Sequence, residues 1–435
     1  MAANSKYPTS FFHLPVELQI EVLRNCTAGS LSALIQTCPQ ASKVCKAQLH
    51  KILPDVMQNW PLQLQYLIRT VIALRLDLID TDPYNMRSWF QEYLEPSSHS
   101  LKIHFPDQCY DPLEVVRLLH ELTDDADFMA TLFVEHTLAR AGPIFRSLPP
   151  ECVDHTSIFD GPPLPVSDLE WYRVQRSIWR LFLYIELYTR RGRPEPLLPD
   201  PQQFFSRLTI WELDELETVH TFLHNLANYA LYEQGLPIVG TWTETCLVKA
   251  WLARTGINLL PPDRHFCWDL SYMLLLNPKP LPASSPSKIW EDVDEEANHP
   301  NFGGQYLMLT FVWRGWGRRY SRPSGSPGNT YQYIGFTIWD AGRFSAWGVD
   351  INRTDNRSAV QFMSPFGDGC MEWVERHGDA YRLSPRLFEL CRTWPHYRGV
   401  IEGAGESASS KELDDTSYHR PCDWVHKVLV PLPTL

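Results

Sequence analysis

Apolar positions in the first 54 residues fall into three short helical patterns separated by helix-stopping residues. In the first, Leu14, Leu18 and Val22 recur at four-residue spacing and Ile20 and Leu23 widen the stripe, the pattern of an amphipathic helix. Pro15 suits the first helical position, Glu17 sits in the first turn where the helix dipole favours a negative charge, and Asn25 to Gly29 end the helix. A second short helix is expected after Ser30, carrying Leu31, Leu34 and Ile35 and stopping at Pro39. The third is expected from Pro39 to about Leu53, with Ala41, Val44, Cys45, Gln48, Leu49 and Ile52 at three- and four-residue steps, and Pro54 closing it.

Beyond residue 54 the helical pattern continues with explicit start signals. Asp111-Pro112-Leu113-Glu114 reads as an N-cap, a proline in the first turn and an acidic third position. Ser167-Asp168-Leu169-Glu170 and Thr209-Ile210-Trp211-Glu212 both fit the capping box. Their helices are expected to run to Gly192 and Gly235, each glycine suiting a left-handed C-terminal cap. Residues 55–280 therefore read as one helical body. Residues 281–300, rich in Pro, Ser and acidic side chains, read as a linker or mobile loop. After it the pattern shifts to β-formers at 306–313 and 331–339, separated by SRPSGSPGNT. DAGRFSAWG at 340–348 fits either a short capped helix or the return arm of a hairpin, Ser384-Pro385 starts another helix, and 401–415 reads as a second flexible loop. The expected fold is mainly α, with a smaller α+β region at 301–435.

Composition narrows the function classes. Hydrophobic residues make up 44% and charged residues 21% of the 435, an ordinary globular balance that fills two or three domains. Sixteen Trp, 18 Tyr and 20 Phe supply many large rings to bury or to offer to partners. A net charge of −12 argues against a general nucleic-acid or anionic-membrane binder, because such binding needs a cationic surface. The ten cysteines lie far apart with no CxxC pair, so reduced thiols in the cytoplasm or nucleus are expected. MAANSKYPTS lacks the apolar stretch of a signal peptide, and the most apolar helical stretch, SIWRLFLYIELY, is interrupted by Arg180 and Glu186. No membrane span is expected.

The opening segment LPVELQIEVLRNC, followed by SLSALIQTCPQASKVC, resembles an F-box. That family's pattern is Leu-Pro-x-Glu-Leu, an Ile/Val-Leu/Phe pair, and then a second helix rich in leucine. Leu14, Pro15, Glu17, Leu18, Val22, Leu23, Leu31, Leu34 and Ile35 match it in order and spacing. The resemblance implies a three-helix module at 10–54 that docks through these nine residues on the Skp linker subunit of a Skp-cullin-F-box ubiquitin ligase. A segment of this length rarely supports its own core, so apolar residues on more than one helix face want both the rest of the chain and a separate protein. The remainder is similar to large fungal F-box proteins, in which an acidic helix such as WELDELETVHTFL and a segment such as GFTIWDAGRFSAWG recur. By that resemblance the chain is a non-catalytic substrate receptor, reaching cullin through the Skp subunit and holding an unidentified protein substrate for ubiquitin transfer.

Several clusters are candidate sites. His220 and His224 lie four apart with Glu217 three residues before, but HTFLH lacks the glutamate of HExxH, so packing or surface roles are expected. Glu212, Asp214, Glu215 and Glu217 read as a solvated face at a helix N-terminus. Arg191-Gly192-Arg193-Pro194 matches the core of a minor-groove arm, yet it falls at an expected helix end where those residues belong anyway. The sharpest basic-aromatic cluster interleaves Trp313, Arg314, Trp316, Arg318 and Arg319 and suits an anionic or phosphorylated target, against the simpler reading of a strand end. No phosphate loop, nucleophile elbow, dinucleotide fingerprint or zinc pattern is present, so neither cofactor, metal nor catalytic residues are expected. Two other classes stay open: an F-box scaffold acting without ubiquitination, and a helical enzyme with an F-box-like N-terminus, which would need a deep pocket lined by titratable groups.

Overall fold

In the computed structural model, the structure describes residues 11–76, 111–148, 164–188 and 337–349, residues 153–161 except 157 and 160, and positions 204, 208, 212, 215–220, 222, 223 and 335. Among these the architecture is mainly helical and no strand occurs. A 3-10 turn at Phe11–His13 leads into α1 (Val16–Arg24), α2 (Ala28–Thr37), α3 (Pro39–Met57), α4 (Leu62–Arg75), α5 (Pro112–Ser147), α6 (Asp168–Tyr188) and α7 (Ala341–Ala346). No described helix is long and apolar enough to cross a membrane.

Local chemistry explains where the helices begin. Asp111 accepts the Leu113 N–H at 3.1 Å, and Pro112 opens α5, whose 36 residues span about 54 Å at 1.5 Å per residue. Ser167 Oγ accepts the Glu170 N–H at 3.2 Å while Glu170 Oε2 accepts the Ser167 N–H at 3.0 Å, the reciprocal pair of a capping box. For α2 the cap is Thr27, which accepts the Ser30 N–H at 3.2 Å, so the helix begins two residues ahead of Ser30. Asp340 Oδ1 accepts the Arg343 N–H at 3.1 Å and opens α7, deciding for the short helix over the hairpin arm.

Two expectations about where elements begin and end are corrected. Pro54 does not close α3, which continues to Met57 and instead leaves helical geometry at Gln48, where φ is −130° and ψ is 20°. An interior proline costs about 3 kcal/mol or more, but Ile52, Leu53, Val56 and Met57 are all buried around it, and a buried side chain of that kind stabilises by roughly 1.5–3 kcal/mol. Burial of four outweighs one lost ladder bond. The strand expected at 331–339 gives way at its described end to a turn: Gly335 has φ +64°, the Ile338 N–H donates to its carbonyl at 2.9 Å, and Ile338 and Trp339 are both fully buried rather than alternating. A left-handed glycine suits a turn and interrupts a strand.

The helices pack as neighbours of α5 and α6. α1 lies on α3, α2 lies on α3 and α5, α4 lies on α6, and α5 lies on α6. Buried apolar residues from Leu23 to Val349 form one cluster, so the first three helices share a core with the body. Within that core Cys45 is fully buried, and burial, reinforced by the Asp111 charge, pushes its thiol up to about 11. Native protein treated with iodoacetamide at pH 8 should leave Cys45 unmodified until denaturant is added, as read by peptide mass mapping. Rapid native labelling of Cys45 would contradict this packing.

Helix α6 is buried on every side from Arg173 to Leu187 although it carries Arg173, Arg176, Arg180 and Glu186. Each charge meets an opposite one. Arg176 Nη2 donates to Glu215 Oε2 at 2.7 Å and lies 3.7 Å from Glu212 Oε1 through Nη1. Arg180 donates to Glu212, and Arg173 Nε lies 4.0 Å from Glu215 Oε1. Glu186 pairs with Arg75 of α4 at 2.6 Å. The expected solvated face is thus corrected: Glu212, Glu215 and Glu217 are buried, and the first two neutralise an arginine ladder at i, i+3 and i+7 of α6. Burial pulls the Arg180 guanidinium down from its ordinary pKa, with Glu212 acting against it and the neighbouring Arg176 charge adding to it.

Candidate partner-binding face

Helix α1 packs on α3 through Gln19 and Leu23, with Ile20 partly buried against the core. Of its nine residues only Gln19 and Leu23 are buried. Gln19 is held by polar contacts on both sides, donating to the Leu14 carbonyl at 2.8 Å and accepting from Gln40 of α3 at 3.3 Å. Arg24 pairs with Asp55 of α3 and, at 2.9 Å, with Glu21 of its own helix. The hydrogen bond and charge of Asp55 raise the Arg24 pKa above its ordinary value. These surface contacts orient α1 more than they stabilise it.

Of the apolar stripe of α1, Leu18 and Val22 point away from that contact, while Ile20 and Leu23 pack toward the core. At 3.6 residues per turn, Leu18 and Val22 lie about 40° apart and roughly 100° from Gln19 and Leu23, with Glu17, Glu21 and Arg24 on the opposite flank. Leu18 is 51% exposed, Val22 41%, and Phe12 and Val16, just ahead, are more than half and about half exposed. Among the described residues, four of the seven exposed large apolar side chains fall within residues 12–22. Single exposed apolar residues need no explanation, so it is their grouping within one short segment that makes this face a candidate.

The nine residues expected to meet the Skp subunit divide by burial. Pro15, Glu17, Leu18 and Val22 are exposed, and Leu14 and Leu34 are half-buried. Leu23, Leu31 and Ile35 are buried in the chain's own core, where they hold α1 and α2 against their neighbours. Phe12 and Val16 join the exposed group without having been expected there. Their only sequence signal was adjacency to the Leu-Pro pair. Of the other candidates, Glu217 and His220 are buried, while His224, Arg191 to Pro194, and Trp313, Arg314, Trp316, Arg318 and Arg319 lie outside the described residues.

Compared with known protein families, with curated proteins and with solved structures, the chain matches none.

Proposed function

We propose that the chain is the substrate-receptor subunit of a Skp-cullin-F-box ubiquitin ligase, docking on the Skp linker subunit through the outward flank of α1. The observation that carries this reading is the exposure of Leu18 and Val22 on a helix whose buried line contains a glutamine. A helix stabilised only by its own chain would turn its apolar flank inward. Here the flank is left for a second surface, and the residues on it are those that the F-box pattern supplies. The receptor contributes proximity: it raises the local concentration of a target lysine near an E2 enzyme carried elsewhere in the complex. Its own side chains take no part in bond making.

The test is co-purification with the Skp subunit, wild type beside the Leu18→Ala/Val22→Ala variant. Both side chains are about half exposed, so burying what remains of them is worth on the order of 1 kcal/mol each. Their loss should weaken binding by at least ~10-fold, with an unchanged urea unfolding midpoint. Absence of wild-type binding at micromolar concentrations would end the adaptor reading.

A further inference from the structure

Helix α1 is nine residues long, too short to keep a helical setting without its neighbours. Leu23 is buried in the common core and Ile20 packs partly against it, but apolar contacts of this kind are non-directional. Around the helix axis Val22 lies about 60° from Gln19 and Leu18 about 100° from it on the same side. A roll of α1 by about 60° would therefore carry Val22 to the place of Gln19, bring Leu18 toward the core and turn Ile20 outward. The exchange is close to even in apolar area. Leu18 and Val22 are 51% and 41% exposed, so covering them gains roughly what uncovering the partly buried Ile20 loses. Apolar burial alone thus gives little preference for the observed setting, in which Gln19 is 3% exposed and Leu18 and Val22 face out.

We infer that Gln19 is a positioning residue, which together with Gln40 of α3 fixes the roll of α1 so that Leu18 and Val22 stay turned outward. Its amide spans two elements. Nε2 donates to the Leu14 carbonyl at 2.8 Å, which holds the side chain against the entry to its own helix and leaves Oε1 for α3. Oε1 accepts from Gln40 Nε2 at 3.3 Å. Hydrogen bonds are directional where apolar contacts are not, and a roll that moved Val22 inward would carry Gln19 away from Gln40. With the apolar terms nearly balanced, that bond selects between the two settings. A single buried polar residue in an otherwise apolar contact sets register between paired helices by the same physics. What the outward flank meets rests on the ligase reading, whereas the roll itself does not.

Hydroxyl-radical footprinting of the full chain, read residue by residue by tandem mass spectrometry, tests the roll without the Skp subunit. In the wild type Leu18 and Val22 should be oxidised and Leu23 spared. Gln19→Ala should lower oxidation of Leu18 and Val22 by roughly two- to threefold and raise that of Ile20, as a turn of about 60° requires. Gln40→Ala, which leaves the sequence of α1 intact, should shift the footprint in the same direction. Leu23→Ala is the control: it should lower the urea midpoint further than either, yet leave the footprint of Leu18 and Val22 in place because both hydrogen bonds remain. Skp affinity should follow the footprint, falling about tenfold in Gln19→Ala and staying within about twofold of wild type in Leu23→Ala. An unchanged footprint in Gln19→Ala, or a uniform rise across 16–24 that reports fraying, would overturn the positioning role. A footprint that shifts as expected, beside a wild type that does not bind the Skp subunit, would uphold the roll and end the ligase reading alone.

Discussion

Arg176→Met should lower the unfolding free energy by about 3–5 kcal/mol, the cost of removing one partner from a buried ion pair. Arg176 is fully buried, 2.7 Å from Glu215, 3.7 Å from Glu212, and its guanidinium lies 5.0 Å from the centroid of the Tyr172 ring. Methionine fills much of the same volume, so the loss is electrostatic rather than a cavity. Glu215 would then face Arg173 at 4.0 Å as its nearest remaining arginine in α6. Some relief comes at Arg180, whose charge is disfavoured by the Arg176 charge beside it, but that repulsion ranks below burial and Glu212 among the influences on Arg180. The companion variant Arg176→Met/Glu215→Leu removes one charge of each sign and should recover to within about 1 kcal/mol of wild type, because a buried pair and an apolar pair of similar size are often nearly equal in stability. Urea unfolding at pH 7 measures both. A single variant losing less than about 1 kcal/mol, or a double variant no better than the single, would contradict a mutually neutralised ladder.

The ladder shows where reading the chain alone runs out. Arg173, Arg176 and Arg180 are spaced three and four apart, and Glu212 and Glu215 three apart, which is the spacing of a helix face in each case. Either row by itself reads as a solvated face, since buried charges are uncommon. Only their meeting across 32 to 39 positions makes them interior, and no local pattern encodes a contact of that separation. By contrast, the caps at Asp111 and Ser167 were legible because donor and acceptor lie within three residues of each other. Pro54 misled for the opposite reason. A local rule ends the helix there, and the burial of Ile52, Leu53, Val56 and Met57 overrides it.

The same division runs through the candidate face, and one residue exposes it. Leu31 matched the F-box pattern as well as Leu18 did, and spacing alone gave no reason to separate them. Leu31 is fully buried on α2, a helix packed against both α3 and α5, whereas Leu18 is half exposed on α1. Leu31→Ala should therefore cost about 2–5 kcal/mol of stability, the range for truncating a buried leucine into a partly relaxed cavity. Its Skp affinity, measured at a temperature where the variant remains folded, should stay within about twofold of wild type, since additivity holds for sites that share no partner. Leu18→Ala should do the reverse, changing stability by no more than ~0.5 kcal/mol as a surface substitution does while weakening the complex. Thermal melts and titration of both variants separate the two roles. If Leu31→Ala leaves the melt unchanged and abolishes binding, α2 presents Leu31 outward, and the partner surface extends across both helices rather than along the flank of α1.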